Sequence, residues 1–322
     1  MLDWRTQRVL LTGGHGFLGR AIHARLLTSG VPESAISRSR SAEHDLRDPA
    51  QAARALRSPW GGAGPTVVIN CAGFVGGLGA NRKWPSRFFF DTMAIAMHTL
   101  EESRRAGFLT PAFKFVQIGT MCSYPADAPI PYRESSLFHG VPDAEIASYG
   151  IAKLATLQML EAYRLEHGLR SAYVIPTGFF GPGDNTDPAN SHVAGALVRK
   201  YVDAQARGDG EVVNWGSGSP TRDFIYIDDA ARGVLMAAER VETPTPINLT
   251  GGTEVSIRDL AALVSRLAGF RGRTVWDTAK GDGQPRRCLD GAKARELLGF
   301  EPATSLEEGL KRTVEWYRSA RG

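Results

Sequence analysis

Cysteine is scarce in this 322-residue chain, which has only Cys71, Cys122 and Cys288. No two of them form a CxxC pair, so the sequence offers neither a disulfide framework nor a zinc site. That usage points to a reducing compartment, with the cytoplasm as the expected location and no metal expected. Long hydrophobic runs are missing too. Nothing approaches the ~20 apolar residues that cross a bilayer, so no membrane is expected as a partner. The opening Met1-Leu-Asp-Trp-Arg5 has no apolar core of the kind a signal peptide carries. Charge bias is small: 38 Lys and Arg against 34 Asp and Glu leave +4. With no basic cluster, nucleic acid is not an expected partner, while anionic small ligands remain suitable. Internal repeats and low-complexity tracts are absent.

The chain does have an ordinary globular composition, 43% apolar and 22% charged, in a length that suits two lobes. Its first half alternates short apolar runs with helical patterns, the mark of a parallel α/β sheet. Strands are predicted at 8–12, 35–38, 67–70, 114–118 and 171–176, with helices at 17–29, 49–57, 85–106 and 149–167. Beyond Thr177 the pattern breaks into loops, a helix near 191–207 and a strand at 224–227 that returns to the sheet. Residues 251–322 then supply two or three small helices and a short strand. The predicted fold is a Rossmann-type doubly wound parallel sheet, at 1–176 and 224–250. A smaller interleaved substrate lobe takes 177–223 and 251–322.

The most telling local pattern is a glycine turn, Gly13-x-x-Gly16-x-x-Gly19, between the first strand and a helix beginning Phe17-Leu18-Gly19. Unpaired N–H groups at such a helix start can receive a dinucleotide pyrophosphate. Downstream, Tyr149 and Lys153 stand one helical turn apart and share a face. There the ammonium is expected to favour phenolate, lowering the phenol's pKa from ~10 toward working pH. Gly119-Thr120 ends the fourth strand, where ligands of open parallel sheets bind, so Thr120 is placed to bond a substrate carbonyl. Together these residues describe hydride transfer at a carbonyl, with Tyr149 handling the proton. After the second strand stand Arg38 and Arg40 where an acidic residue would grip the ribose of NAD. Two guanidinium groups suit the 2′-phosphate of NADP(H), and with the glycine turn upstream this reading is favoured over that of two solvated loop charges. Asp45 and Leu46 are expected beside the adenine. Ala72 and Gly73 allow close backbone approach, and Pro176 ends the fifth strand at the cofactor.

With these residues in place, the sequence resembles the extended short-chain dehydrogenase/reductases, and within them the GDP-L-fucose synthases. The likeness is carried by Val75-Gly-Gly-Leu-Gly-Ala-Asn81, Gly119-Thr-Met-Cys-Ser-Tyr-Pro125, Tyr149-Gly-Ile-Ala-Lys153 and Asn190-Ser-His-Val193. It continues through Val213-Asn-Trp-Gly-Ser-Gly218, Pro220-Thr-Arg-Asp-Phe224 and Lys280-Gly-Asp-Gly-Gln-Pro-Arg286. The resemblance implies NADPH-dependent epimerisation at C3 and C5, and reduction at C4, of a nucleotide-linked 4-keto-6-deoxy sugar. It implies Cys122 as the base and His192 as the acid, on opposite faces of the ring. It also implies Asn190, Val193, Leu197 and Trp215 around the nucleotide, with Lys200, Arg222 and Lys280 toward phosphates or sugar. A homodimer through the helices at 86–106 and 149–167 is implied as well.

Several positions depart from the family pattern. Thr120 replaces a serine, and Met121 replaces a small polar residue in the sugar pocket. Gly178 stands where an asparagine is usual, and Lys200 where an arginine is. These departures leave a dTDP-linked substrate reduced without epimerisation as the close alternative. A nucleotide-sugar epimerase or dehydratase that retains NAD fits less well with Arg38 and Arg40. A non-catalytic NADP-binding regulator is the alternative of another class, and the retained Tyr149 and Lys153 argue against it.

Overall fold

The computed structural model describes residues 2–187 and 191–320. In chain order its elements are β1 (Val9–Thr12), α1 (Phe17–Thr28), β2 (Ile36–Ser37), α2 (Pro49–Arg57), β3 (Val67–Asn70), α3 (Leu78–Lys83), α4 (Pro85–Arg105), β4 (Lys114–Ile118), α5 (Ala147–His167) and β5 (Arg170–Pro176). Next come β6 (Gly178–Phe180), α6 (Val193–Arg207), β7 (Glu211–Trp215), β8 (Thr221–Tyr226), α7 (Ile227–Arg240) and β9 (Pro246–Leu249). The last stretch holds β10 (Glu254–Ser256), α8 (Ile257–Leu267), β11 (Arg273–Asp277), β12 (Arg286–Arg287), α9 (Ala292–Leu298) and α10 (Leu306–Ser319).

Six strands form one parallel sheet in the order β2-β1-β3-β4-β5-β9. Its strands are nearly continuous apolar runs because helices cover both faces. Alternate residues go to opposite sides, as strand geometry requires. Val9, Leu11, Val67, Ile69, Val116 and Val174 join the core beneath α1 and α7. Leu10, Val68, Phe115 and Tyr173 join the core on the side of α5. The doubly wound Rossmann-type fold expected from the sequence is therefore present. Local chemistry marks several boundaries. Asp48 caps α2, its carboxylate accepting from the amides of Ala50 and Gln51, with Pro49 in the first turn. Gly168, at φ +66°, ends α5 in the left-handed conformation.

Strand order reverses between β1 and β3, which places the ligand crevice of such a sheet beyond their carboxyl ends. The loops starting at Gly13, Cys71, Gly119 and Thr177 all emerge along that edge.

Two expectations need correction. The strand predicted at 224–227 does not return to the main sheet. It is the end of β8, which pairs with β6, β10 and β12 in a separate sheet. The sixth place in the main sheet belongs to β9, whose Pro-Ile-Asn-Leu sequence is broken by a proline and an asparagine and so does not stand out as an apolar run. The last 72 residues also hold three short strands rather than one. Two of them join β7 and β8 across a long sequence separation, a pairing that local patterning does not reveal.

Candidate active site

The glycine turn after β1 is built for close backbone approach. A Cβ at Gly13, whose φ is +65°, would lie 2.9 Å from the Ala72 amide nitrogen. One at Gly19 would lie 2.2 Å from the Gly13 carbonyl oxygen. Gly16 caps α1 without a side-chain acceptor, which leaves first-turn N–H groups for an anion. Phe17 is partly exposed there, whereas Leu18 is buried and offers a ligand only its backbone. Arg38 and Arg40 flank this turn. The Arg38 side chain lies against Gly14, and the Arg40 Nε meets His15 Nε2 at 3.1 Å. Partial burial and then the two guanidinium groups hold the His15 imidazole below its ordinary pKa. The turn and the two arginines fit a dinucleotide carrying an extra phosphate.

Asp45 and Leu46 are already engaged within the protein. Arg47 grips the Asp45 carboxylate at 2.7 Å and holds its pKa low. Leu46 is buried against Ala52 and Ala55 of α2. The Asp45 side chain remains 30% exposed, whereas Leu46 would meet an adenine mainly through its backbone. Ala72 and Gly73 follow β3, and the Ala72 amide donates to Thr12 Oγ1 at 3.2 Å. Pro176 is buried at the end of β5.

Thr120, Tyr149 and Lys153 converge at the end of β4. Thr120 lies beside the Tyr149 hydroxyl, and its Oγ1 accepts from the Cys122 amide at 3.2 Å. Gly150 makes this packing possible, since a Cβ there would lie 2.3 Å from the Cys122 carbonyl oxygen. The expected lowering of the Tyr149 pKa is not what the structure gives. Burial of the hydroxyl, and then the neighbouring Cys122, push it upward, against a smaller opposing effect from Thr120. Lys153 Nζ lies 5.8 Å from the centre of the Tyr149 ring and donates instead to the Ile118 carbonyl at 2.7 Å. Burial lowers the Lys153 pKa to about 8.

That carbonyl ends a buried polar row crossing three strands. Thr12 Oγ1 donates to Asn70 Oδ1 at 2.5 Å, and Asn70 Nδ2 donates to Gln117 Oε1 at 2.8 Å. Gln117 Nε2 then donates to the Ile118 carbonyl at 2.8 Å. The row links the glycine-turn edge to Lys153, and sequence reasoning missed it. A detectable signal existed: Asn70 and Gln117 are polar residues inside otherwise apolar buried strands.

Cys122, two residues beyond Thr120, is partly buried and accepts from a guanidinium nitrogen of Arg287, which reaches it from across the cleft, at 3.5 Å. Arg222 lies beside Arg287 in the register of β8 with β12, and burial lowers its pKa to about 10. Met121 is partly buried next to Cys122. His192 caps α6 with an exposed side chain. Surrounding protein lowers its pKa, and the solvent that reaches the ring limits that effect. Asn190 lies outside the described residues. Val193 is partly buried, while Leu197 is packed into the main core, so it does not present its side chain freely to a nucleotide. Trp215 is 67% exposed, with Lys200 Nζ 5.6 Å and Lys280 Nζ 6.0 Å from its ring centre. Two cations therefore stand beside an open aromatic face.

A model of the NAD dependent epimerase/dehydratase family matches residues 9–250. The chain belongs to that family. Within it, GDP-L-fucose synthase 1 of Arabidopsis thaliana is 35% identical over 97% of this chain and 94% of that protein. The GDP-L-fucose synthase of Escherichia coli K12 is 34% identical over 97% and 96%. The solved structure of a GDP-L-fucose synthetase from Naegleria fowleri bound to NADP superposes with a TM-score of 0.87, at 29% identity over 98% of this chain and 94% of that one. Likeness to these relatives runs through nearly the whole chain.

Proposed function

We propose that this protein uses NADPH to reduce the 4-keto group of a GDP-linked 4-keto-6-deoxyhexose, after epimerising the sugar at C3 and C5. The observation that carries this reading is the convergence of Thr120, Tyr149 and Cys122 at the end of β4, facing the cationic wall of Arg222 and Arg287. NADPH, when bound, supplies the hydride. The residues that would hold it are Gly13, Gly16 and Gly19 at the pyrophosphate and Arg38 and Arg40 at the 2′-phosphate.

In this reading Thr120 and Tyr149 bond the ketone oxygen, and both favour the enolate that forms when a neighbouring carbon loses its proton. Cys122 takes that proton and His192 returns one to the opposite face. Tyr149 then gives its proton to the C4 oxygen during reduction. Its raised pKa suits this role, because a phenol that stays protonated at neutral pH is a ready donor. Lys153 orients rather than ionises the tyrosine in the geometry seen here. Trp215 stacks on the base between Lys200 and Lys280, and Arg222 meets the diphosphate. The exposed Phe90 and Met97 of α4 and Ile151 of α5 give adjoining apolar faces that suit a homodimer.

The test is turnover with NADPH in D₂O, offering GDP-4-keto-6-deoxymannose and dTDP-4-keto-6-deoxyglucose separately. NMR then locates deuterium in the product. GDP-sugar turnover with label at C3 and C5 is the expected result. Turnover of the dTDP sugar alone, without enzyme-dependent label, would overturn both the substrate and the epimerisation.

A further inference from the structure

Arg286 and Arg287 are sequence neighbours with opposite surroundings. Arg286 is fully engaged: its Nε and one guanidinium nitrogen each meet Glu254 at 2.8 Å. Arg287 has no carboxylate among its described contacts. Its Nε is buried without a hydrogen-bond partner, and one of its other nitrogens points to Cys122 Sγ at 3.5 Å. Arg287 as a whole is partly buried, and a donor shut off from water in this way is costly unless something meets it in the working state. Arg222 adds a second positive charge alongside, so the local field favours negative charge on whatever faces both.

The position of Arg287 is enforced from the other side. The Tyr132 amide donates to the Cys288 carbonyl at 2.9 Å, and the Asp290 amide donates back to the Tyr132 carbonyl at 2.9 Å. Buried Asn248 ties both segments together, donating to the Tyr132 carbonyl at 2.9 Å and the Asp290 carbonyl at 3.2 Å. The Tyr132 ring stacks on Tyr124 with centroids 4.8 Å apart, and its phenol lies within the field of Arg287, Arg222 and Cys122. A network this well satisfied around an arginine that is itself unsatisfied marks a side chain held for a purpose.

We infer that Arg287 is a positioning residue for Cys122, holding the sulfur in place toward the sugar ring. The inference rests on the proposed role of Cys122 as the proton-abstracting group. In that step the C–H bond beside the ketone breaks and its electron pair passes into the enolate. The proton goes to sulfur and is later lost to solvent. A guanidinium beside the sulfur favours the thiolate that can accept it. Arg287→Lys keeps a charge but not the planar fork, and Arg287→Met keeps only the stem.

The experiment has two arms, both run on the full chain with NADPH binding as the check on folding. In the first, Arg287→Met is assayed in D₂O for label at C3 and C5 and, separately, for reduction of an already epimerised 4-ketone. The expected result is a loss of labelling by roughly 10- to 100-fold, the scale of one hydrogen bond to a charged group, well beyond any fall in reduction. Arg287→Lys should recover part of the labelling. In the second, iodoacetamide alkylation of Cys122 is followed by peptide mass spectrometry, with Cys71 and Cys288 as internal references. Burial raises the pKa of those two thiols to about 12 and about 11. Slower alkylation of Cys122 in Arg287→Met is expected. Unchanged alkylation, or labelling and reduction falling together, would overturn the inference. If the natural protein turns over no keto sugar, the functional reading fails, and the alkylation arm still judges Arg287 on its own.

Discussion

The two walls of the cleft are built on different terms. The wall along the main sheet consists of backbone and short-range pattern: glycines, strand ends and a tyrosine one helical turn from a lysine. The facing wall collects His192, Trp215, Arg222, Lys280 and Arg287 from distant segments, and most of its charge is positive. Strand order and steric fit fix the first wall, because a Cβ at Gly13, Gly19 or Gly150 would collide with backbone. Long-range pairing, such as that of β8 with β12, assembles the second. Chemistry common to a fold can thus sit on the rigid wall, while recognition is tuned on the other without disturbing it.

The sharpest way to break this comparison is Tyr149→Phe. If the proton needed for reduction comes from the sheet wall, kcat falls by roughly 10²- to 10⁴-fold, the usual scale of a positioned general acid. NADPH affinity, measured by fluorescence titration, should stay near that of the natural protein. Normal turnover would move the proton donor to the facing wall and leave the sheet wall only a binding role.

A smaller effect separates cofactor recognition from chemistry. Arg38→Ala with Arg40→Ala should raise the Kd for NADPH by roughly 10- to 100-fold, the loss of charge-assisted bonds to one phosphate. NADH binding should barely change. Equal losses for both cofactors would mean that the arginines support the glycine turn through Gly14 and His15, which they also touch.

The sheet wall was legible in sequence because its signals are local. The strands at 67–70 and 114–118 are found where the pattern predicts them, since continuous apolar runs between turn residues leave little choice. Arg287 and Tyr132 gave no such signal. Each reads as an ordinary residue until the pairing of 132 with 288–290 brings them to Cys122. The Tyr149 pKa was misjudged for a related reason. Spacing on a helix shows that Lys153 is near, but not that its ammonium bonds a strand carbonyl and that burial dominates. Leu197, which the resemblance implies near the nucleotide, is packed into the main core, a burial that no sequence spacing announced.

The smallest predicted effect concerns the loop that feeds the second wall. Asp184 is 6% exposed; its Oδ1 accepts from the Asn185 amide at 2.7 Å, while its Oδ2 is buried without a partner. Burial raises its pKa from 3.8 to about 7. A carboxyl whose folded pKa lies above its unfolded value binds more protons in the folded state between those two pH values. Folding stability from this group is therefore intact below pH 3.8 and declines as pH rises through 7. Asp184→Asn cannot ionise, so the variant should be more stable than the natural protein above pH 7. That gain should shrink toward zero near pH 4, as followed by urea denaturation across the range. A pH-independent difference would show that the buried oxygen is satisfied in solution. The loop would then carry no strain of ionisation, and the two walls would be equally settled in their own energetics.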